Sequence, residues 1–412
     1  MRIPTMLNRR EFLKVGVAVS SLLVACRESP SHTDGEDDEL DAFMKERMKT
    51  LHIPGLAACI VKDKEIVWSK SYGWANIEQQ IPMSLDTLQN IASISKTFTA
   101  TALMQLWEKG ELGLDDDINA YLPFEVRNPA HPSKKITFKH LLTHTSSIDD
   151  GSSYSRAYAC GDPTISLQIW LREYFAEGGA YYNREENFHD WMPGEQYAYN
   201  NVAFGLLGYL VEAISGTPFA EYCRANIFLP LGLEETSWFL ADIDPSKHAV
   251  PYTYVSDGHA RGPSWGGLEL GSIQEGGPSG GRIEKDGYTP NCLYNHPNFP
   301  DGFLRTSVNQ LTRYMLAYLN GGSYQGKRVL EESSIRNMLT VHFGESGGLC
   351  WFARRLGDGE LFWGHGGSDP GVNTRIDFRS ADGLGAIVFT NTNGAEPQKL
   401  NERLIQEALH RG

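Results

Sequence analysis

The spacing of apolar residues along the 412-residue chain alternates between helix-like and strand-like periods and predicts where each kind of element lies. In five segments the apolar residues recur every three or four positions, a period that is typical of helices. These segments are residues 39–51, 98–109, 202–214, 311–320 and 397–410. The third helix is expected to end at Ser215-Gly216, with Pro218 beyond it, because such residues stop helices.

Strand-like runs lie near both ends of the chain. Residues 56–61 and 65–72 flank the polar turn Lys62-Asp63-Lys64 and predict a hairpin. Further strands are predicted at about residues 349–354, 360–363, 374–378 and 385–391. By contrast, residues 251–302 are rich in Gly, Pro, Asp and Tyr and predict a long irregular excursion over the surface.

Strands at both chain ends, each accompanied by a terminal helix, predict an α+β fold. We expect one antiparallel sheet, built from about residues 40–86 and 345–412 and flanked by the terminal helices. A mainly helical region, about residues 87–344, is inserted between the two parts. A substrate pocket is expected where the sheet meets the inserted helices.

The first 26 residues predict an export signal. Residues 8–14, Asn-Arg-Arg-Glu-Phe-Leu-Lys, form a twin-arginine pattern before an apolar run that is too short to remain as a membrane span. The run ends in Leu23-Val24-Ala25-Cys26, which is similar to a bacterial lipobox with Cys26 as the acylated residue; cleavage near Ala25 without lipid is the alternative. The polar residues 27–39 are expected to tether the domain. We therefore expect a periplasmic or cell-surface protein that meets the membrane only through a lipid anchor.

Charge and composition exclude several partners. The formal net charge is −14 at pH 7, and removal of the signal leaves about −17, so nucleic acid is not an expected partner. The chain has no HExxH, P-loop or G-x-G-x-x-G motif, so neither a metal nor a cofactor is expected. Apart from Cys26, the cysteines are odd in number and lack CxxC spacing, and we expect buried free thiols and no disulfide. They are Cys59, Cys160, Cys223, Cys292 and Cys350.

Ser93-Ile94-Ser95-Lys96 is the only Ser-x-x-Lys sequence in the chain, and it lies where a helix is predicted to begin. This spacing places Ser93 and Lys96 on one helix face. A serine at a helix N-terminus gains free N–H groups for a developing oxyanion, and a desolvated lysine can be neutral and accept the hydroxyl proton. The alternative is that Ser93 only caps the helix.

Tyr-x-Asn and His-x-Gly each occur three times, so only their context separates them. Tyr199-Asn200-Asn201 lies on a loop at a helix start, where the phenol could relay a proton and Asn201 could bind a carbonyl, whereas Tyr318 falls inside a predicted helix. His365-Gly366-Gly367 adjoins a strand, and Ser368 follows it with an N–H that could complete an oxyanion hole. The alternatives are core packing for the first motif and a surface turn for the second.

Two G-x-S-x-G sequences, centred on Ser279 and Ser346, are rival nucleophile motifs. Neither has an apolar strand before it and a helix after it, as a nucleophile elbow requires. We predict that both lie in loops.

In this order, Ser93-x-x-Lys96, Tyr199-x-Asn201 and His365-x-Gly367 resemble the serine hydrolases of the class C β-lactamase and penicillin-binding-protein-like family, which includes esterases and D-aminopeptidases. Further similar blocks are Ile53-Pro54-Gly55-Leu56, Leu141-Leu142-Thr143-His144-Thr145-Ser146, Pro230-Leu231-Gly232 and the residues around each motif. The resemblance covers about residues 40–408 and implies a β-lactamase/transpeptidase-like fold.

The resemblance also implies roles for the site residues. Ser93 would be the acylated nucleophile, Lys96 its proton partner and Tyr199 the acid/base. Asn201, His365 and Gly367 would contact the substrate, and the N–H groups of Ser93 and Ser368 would form the oxyanion hole. We interpret the block containing His144 as structural.

One departure bears on the substrate. The β-lactamases of this group usually carry Lys-Thr-Gly at the third motif, where this chain has His365-Gly366-Gly367. Imidazole has an ordinary pKa near 6.5, so we expect weak recognition of carboxylates that improves as the pH falls through the pKa of His365. The predicted function is an exported serine hydrolase acting through an acyl-enzyme on a small ester, a D-amino-acid peptide or a β-lactam-like substrate. The alternative is a non-catalytic, lipid-tethered protein that binds cell-wall peptides.

Overall fold

The computed structural model describes residues 34–256, 259–260 and 287–410. The predicted export signal with Cys26, most of the predicted tether and Ser279 lie outside the described residues. The chain divides into a unit up to Asp41 and a compact unit from Ala42 onward, and the second unit contains every strand described below.

A seven-stranded antiparallel sheet confirms the predicted α+β architecture, because it combines strands from both ends of the chain. Its spatial order is β13-β14-β15-β16-β1-β2-β3. The strands are β1 (Gly55–Lys62), β2 (Glu65–Asn76), β3 (Ile81–Pro82), β13 (Phe352–Leu356), β14 (Glu360–Asp369), β15 (Val372–Arg379) and β16 (Leu384–Thr390). The two chain ends join where β1 pairs with β16, from Leu56 opposite Thr390 to Val61 opposite Gly385.

The central strands are buried on both faces, which explains why their sequences lack alternation. Every residue of β16 is buried, and so are all residues of β1 except the last. The β1–β2 turn places Asp63 and Lys64 at φ 54° and 65°, and two positive φ angles match the twist of a tight hairpin.

Between β3 and β13 the chain is mainly helical, with short strand pairs β4–β10, β5–β9, β6–β7, β6–β8 and β11–β12. These strands are β4 (Gln89–Asn90), β5 (Ala159–Cys160), β6 (Tyr252–Ser256), β7 (His259–Ala260), β8 (Gly287–Pro290), β9 (Tyr294–Asn295), β10 (Arg305–Thr306), β11 (Ser323–Tyr324) and β12 (Lys327–Arg328). The described part of 251–302 is therefore not wholly irregular, because β6, β8 and β9 lie within it.

The helices are α1 (Asp34–Leu51), α2 (Ser95–Glu108), α3 (Phe138–Leu142), α4 (Ser152–Arg156), α5 (Leu167–Phe175), α6 (Arg184–Asn187), α7 (Val202–Ser215), α8 (Phe219–Cys223), α9 (Leu229–Leu231), α10 (Val308–Leu319), α11 (Glu332–Met338) and α12 (Pro397–His410). Helix α1 begins five residues before the predicted position. Helix α7 ends as predicted, with Gly216 in the left-handed conformation at φ 68°.

Helices α10 and α12 pack against β1 and β16, while α2 and α7 pack against each other in the inserted region. Among the described residues no single helix is long and apolar enough to cross a membrane. Helix α7 and the segment Phe219–Leu231 are long and apolar enough only when they are counted together, and the chain bends by 80° between them.

The expectation that the five cysteines other than Cys26 are free thiols is wrong for two of them. Cys160 and Cys292 form a disulfide, with Cα atoms 5.7 Å apart, whereas Cys59, Cys223 and Cys350 are free and buried. The partners are 132 residues apart in sequence and carry no spacing signature. The pairing of β5 with β9 brings them together.

We predict that replacing both Cys160 and Cys292 by Ser lowers the free energy of unfolding by about 2–4 kcal/mol, because the bridge constrains a long loop in the unfolded chain. Urea unfolding with and without dithiothreitol measures this. The reductant should shift the wild-type midpoint and leave the double variant unchanged. An unshifted wild type would contradict a stabilising bridge.

Candidate active site

Ser93 lies in a tight turn that precedes α2. Residues Ala92–Ile94 form a single 3₁₀ turn, and no side chain caps the first turn of α2, so Ser93 is not the helix cap. Ala92 has a φ of 47°, an unfavourable left-handed conformation, and its N–H donates to Asn90 Oδ1 at 2.9 Å. This turn leaves the hydroxyl of Ser93 free to meet Lys96.

Lys96 is fully buried one turn after Ser93. Its Nζ donates to Ser93 Oγ at 3.1 Å, to Asn201 Oδ1 at 2.7 Å and to the carbonyl of Asp301 at 2.8 Å. Burial alone would lower the pKa of Lys96, but Tyr199, Asp301 and Asp150 outweigh it and raise the pKa above its ordinary value. This direction favours an ammonium ion at Lys96 over the neutral, proton-accepting lysine that the motif suggested.

Tyr199 lines the same cavity as Ser93 and interacts electrostatically with Lys96. The Lys96 Nζ lies 5.0 Å from the centre of the Tyr199 ring. Desolvation raises the pKa of Tyr199, while Lys96 and Ser93 oppose that shift by favouring the phenolate. The side chain keeps 38% of its surface exposed because it lines an open cavity. Tyr199 therefore lies in the cavity beside Ser93 and Lys96, as the second motif predicted.

His144 supports Tyr199 from behind, as a structural residue would. It is buried, its ring stacks on that of Tyr199 with centroids 4.3 Å apart, and its Nδ1 accepts the N–H of Asn200 at 3.1 Å. Burial and Lys96 lower the pKa of His144 well below its ordinary value, so the ring stays neutral.

Asp150, which no sequence motif indicated, positions Asn201. Its carboxylate accepts Asn201 Nδ2 at 2.7 Å, Asn200 Nδ2 at 2.9 Å and the N–H groups of Asn201 and Val202 at 2.9 Å. It thereby caps the start of α7 and turns the side-chain amide oxygen of Asn201, Oδ1, toward Lys96. Burial raises the pKa of Asp150 to about 7.

Asp301 is the second carboxylate that the motifs did not indicate. Its Oδ2 lies 3.6 Å from Lys96 Nζ and accepts the Tyr154 hydroxyl at 2.7 Å, and Asn298 Nδ2 donates to Oδ1 at 3.1 Å. Only 2% of its surface is exposed. Asp301 is therefore the counter-ion of Lys96.

The third motif lies on β14, which extends to Asp369, six residues beyond the predicted strand. Its pairing with β13 ends at Gly364, so residues 365–369 have no strand partner on that edge. An ideal Cβ added to Gly367 would lie 2.3 Å from the Ile91 carbonyl oxygen, so only glycine lets the strand approach the Ser93 turn this closely.

His365 is buried, with 2% of its surface exposed, and is not part of a surface turn. Its Nδ1 donates to the Gly366 carbonyl at 2.7 Å. Burial, aided by Lys96 and Arg375, lowers its pKa to about 3. The expectation that His365 titrates near neutral pH is therefore wrong, because the ring stays uncharged there.

A cavity of about 630 Å³ gathers the predicted residues. Ser93, Tyr199, Asn201 and residues 365–368 all line it, and Lys96 lies directly behind Ser93. The rival motifs lie elsewhere: Tyr318 is a core residue, and Ser346 is in an exposed turn. Among the described residues, no three His, Cys, Asp or Glu side chains are placed to hold a metal ion.

The family model described as Beta-lactamase matches residues 40–410. The chain belongs to the β-lactamase family. It is 24% identical to Protein flp of Staphylococcus aureus (strain MRSA252), over 92% of this chain and 67% of that protein. It is 30% identical to Penicillin-binding protein 4* of Bacillus subtilis (strain 168), over 48% of this chain and 41% of that protein.

Two solved structures share the fold. The octameric penicillin-binding protein homologue from Pyrococcus abyssi matches with a TM-score of 0.67 and 25% identity, over 90% of this chain and 77% of that chain. The β-lactamase/D-alanine carboxypeptidase from Pseudomonas syringae matches with a TM-score of 0.66 and 20% identity, over 92% and 99%. The fold is thus that of β-lactamases and transpeptidases.

We predict that Gly367→Ala displaces β14 from Ser93, because its Cβ would overlap backbone, and that it costs about 1–3 kcal/mol of stability. Urea unfolding and the rate of Ser93 labelling by a fluorophosphonate measure the two effects. Gly366→Ala is the matched control, since its Cβ would meet only the flexible end of Arg375 at 3.3 Å. Equal behaviour of the two variants would contradict the close approach.

Proposed function

We propose that the protein is a serine hydrolase that forms an acyl-enzyme at Ser93 on an ester or amide substrate. One observation carries the proposal: in an open cavity, the Ser93 hydroxyl accepts a hydrogen bond from the buried Lys96, and Tyr199 lies beside both residues. A nucleophile within reach of a proton acceptor and a fixed cation is the arrangement that activates serine.

The chemistry follows from the charges. The reactive form of the site has released one proton to solvent, so that Tyr199 is a phenolate beside the Lys96 ammonium. Ser93 Oγ attacks the substrate carbonyl carbon, and its proton passes to this phenolate oxygen. The carbonyl oxygen becomes an oxyanion facing the N–H groups of Ser93 and Ser368. As the tetrahedral intermediate collapses, the bond to the leaving group breaks and Tyr199 gives that group the proton. Water then attacks the acyl-enzyme by the same route in reverse and releases the acid and Ser93.

We infer that carboxylate-bearing β-lactams are poor substrates. His365, which is neutral, stands where the family usually carries the lysine of its third motif. Arg375, a cation that lines the cavity, is bound through Nε and Nη2 to Asp377 at 2.7 and 2.6 Å. His365 therefore offers no charge to a substrate carboxylate, and two of the donor nitrogens of Arg375 are already bound to Asp377.

Export and lipid attachment are part of the proposal. The twin-arginine pattern and the lipobox-like sequence at Cys26 support them. The disulfide between Cys160 and Cys292 agrees with an oxidising compartment.

A fluorophosphonate probe is expected to add once to the protein, at Ser93. Intact-mass spectrometry should show one adduct that disappears in Ser93→Ala and persists in Ser279→Ala and Ser346→Ala. Labelling of either control serine would overturn the assignment. A chain that stays unlabelled would favour the non-catalytic binding protein.

We expect kcat/KM for a neutral p-nitrophenyl ester to exceed that for a chromogenic cephalosporin by at least about tenfold. A loss of this size is expected when the cephalosporin carboxylate lacks one hydrogen bond to a charged group. Steady-state rates for the two substrates at one pH provide the comparison. Equal efficiencies would show that another group binds the carboxylate.

Cys26→Ser should release the exported protein from the membrane into the soluble fraction, and Arg9→Lys with Arg10→Lys should block export. Fractionation followed by immunoblotting measures both. A Cys26→Ser protein that stays in the membrane fraction would contradict lipidation.

A further inference from the structure

Asp369, the last residue of β14, brings a carboxylate to the catalytic cavity directly after Ser368. Its Oδ1 accepts the Tyr158 hydroxyl at 2.9 Å, and Asn90 Nδ2 donates to its Oδ2 at 3.2 Å. The residue is 3% exposed. Among the described residues, no Lys, Arg or His nitrogen lies within 4 Å of this carboxylate. A buried carboxylate without a cation is costly unless a partner arrives.

The charged and titratable groups that face Asp369 come from several elements. They are Asp301, Lys96 on α2, Tyr154 on α4, Tyr158 before β5, Tyr294 on β9, and Arg305 on β10. Lys96 is committed to Ser93, Asn201 and Asp301. Arg305 donates to the backbone carbonyls of Trp238 and Phe303 at 3.2 and 2.8 Å. Among the described residues, no cation is therefore paired with the Asp369 carboxylate of the cavity.

Two tyrosines beside this carboxylate add aromatic surface. Tyr154 and Tyr158 both line the cavity, with ring centroids 5.9 Å apart in an edge-to-face arrangement. Their hydroxyls donate to Asp301 and Asp369. Aromatic faces next to a carboxylate attract ammonium groups through cation–π and ionic interactions.

The position of Tyr158 is constrained by its neighbours in sequence. It immediately precedes β5, which pairs with β9, and Cys160 of β5 is bridged to Cys292. Asn90 in turn links Asp369 to the Ser93 turn, because its Oδ1 accepts the N–H of Ala92. The carboxylate is thus held in a fixed relation to the nucleophile.

We propose that Asp369 is a specificity-determining residue that selects substrates with a positively charged amine near the scissile carbonyl. This inference rests on the proposed acyl-enzyme function and names its substrate class. Neighbouring residues of a strand are about 3.3 Å apart along the chain. A substrate whose carbonyl is held at the N–H of Ser368 therefore reaches Asp369 with an ammonium group that is only a few bonds from that carbonyl. The class comprises aminoacyl or quaternary-ammonium esters and amides with short spacers.

Matched pairs of esters with the same shape test this inference. The acyl pair is the p-nitrophenyl esters of 4-(trimethylammonio)butanoate and 5,5-dimethylhexanoate, and the leaving-group pair is acetylcholine and 3,3-dimethylbutyl acetate. The cation is permanent, so only the protein titrates. Rates are measured at about pH 8, above the pKa of about 7 to which burial raises Asp369.

In the wild type, kcat/KM should favour the cation by about tenfold or more in at least one pair. Asp369→Asn should bring that ratio close to one while the neutral ester is still hydrolysed. Glu360→Gln is the matched control, because it removes one carboxylate from the exposed start of the same strand and should keep the ratio. Absence of a preference in both pairs, or a preference that persists in Asp369→Asn, would overturn the proposal.

A binding measurement tests the Asp369 subsite separately from the proposed hydrolase activity. In the Ser93→Ala protein no acyl-enzyme can form, so calorimetry of the same esters gives the ratio of their dissociation constants directly. Tighter binding of the cationic ester, lost on adding Asp369→Asn, would support the subsite even if turnover failed. Equal dissociation constants would overturn it, whatever the fate of Ser93 labelling.

Discussion

The buried positive charge of Lys96 is the constraint on which the rest of the site depends. An ammonium ion without solvent is costly unless acceptors and a counter-ion surround it. Asp301 supplies both a carbonyl contact and a carboxylate, and Asn201 supplies an amide oxygen. Asp150 holds Asn201 in the orientation that this contact needs. The charge in turn opposes the effect of burial on the pKa of Tyr199, so two aspartates far apart in sequence bear on the charge of the tyrosine beside Ser93.

The second constraint is steric and brings two distant parts of the chain together. The Ser93 turn belongs to the inserted helical region, whereas the wall opposite it is a strand of the C-terminal half of the sheet. Gly367 lets that strand touch the carbonyl of Ile91, and the Thr374 hydroxyl on the neighbouring strand donates to the same carbonyl at 2.9 Å. Helix and sheet therefore meet at the nucleophile, and the cavity at this seam is a consequence of the fold.

Much of this could be predicted from sequence, because local patterns carry it. Strand periodicity at both chain ends predicted the sheet, and the three motifs predicted residues that the fold brings to one cavity. What escaped prediction depends on contacts between distant segments. Asp150 lies in a loop and Asp301 at the end of a short 3₁₀ helix, and neither belongs to a motif. The Cys160–Cys292 bridge depends on the pairing of two short strands, and the burial that neutralises His365 is invisible in a tripeptide.

The protonation state of Lys96 tests the account most directly. Carbon-13 NMR of protein labelled at the lysine ε-carbon can follow it, with the Lys96 signal assigned by its loss in Lys96→Arg. We predict an ammonium signal at neutral and mildly alkaline pH, with a pKa above the ordinary lysine value, and a lower pKa in Asp301→Asn. A neutral amine signal for Lys96 at about pH 8 in the wild type would contradict it, because the lysine itself would then be the base.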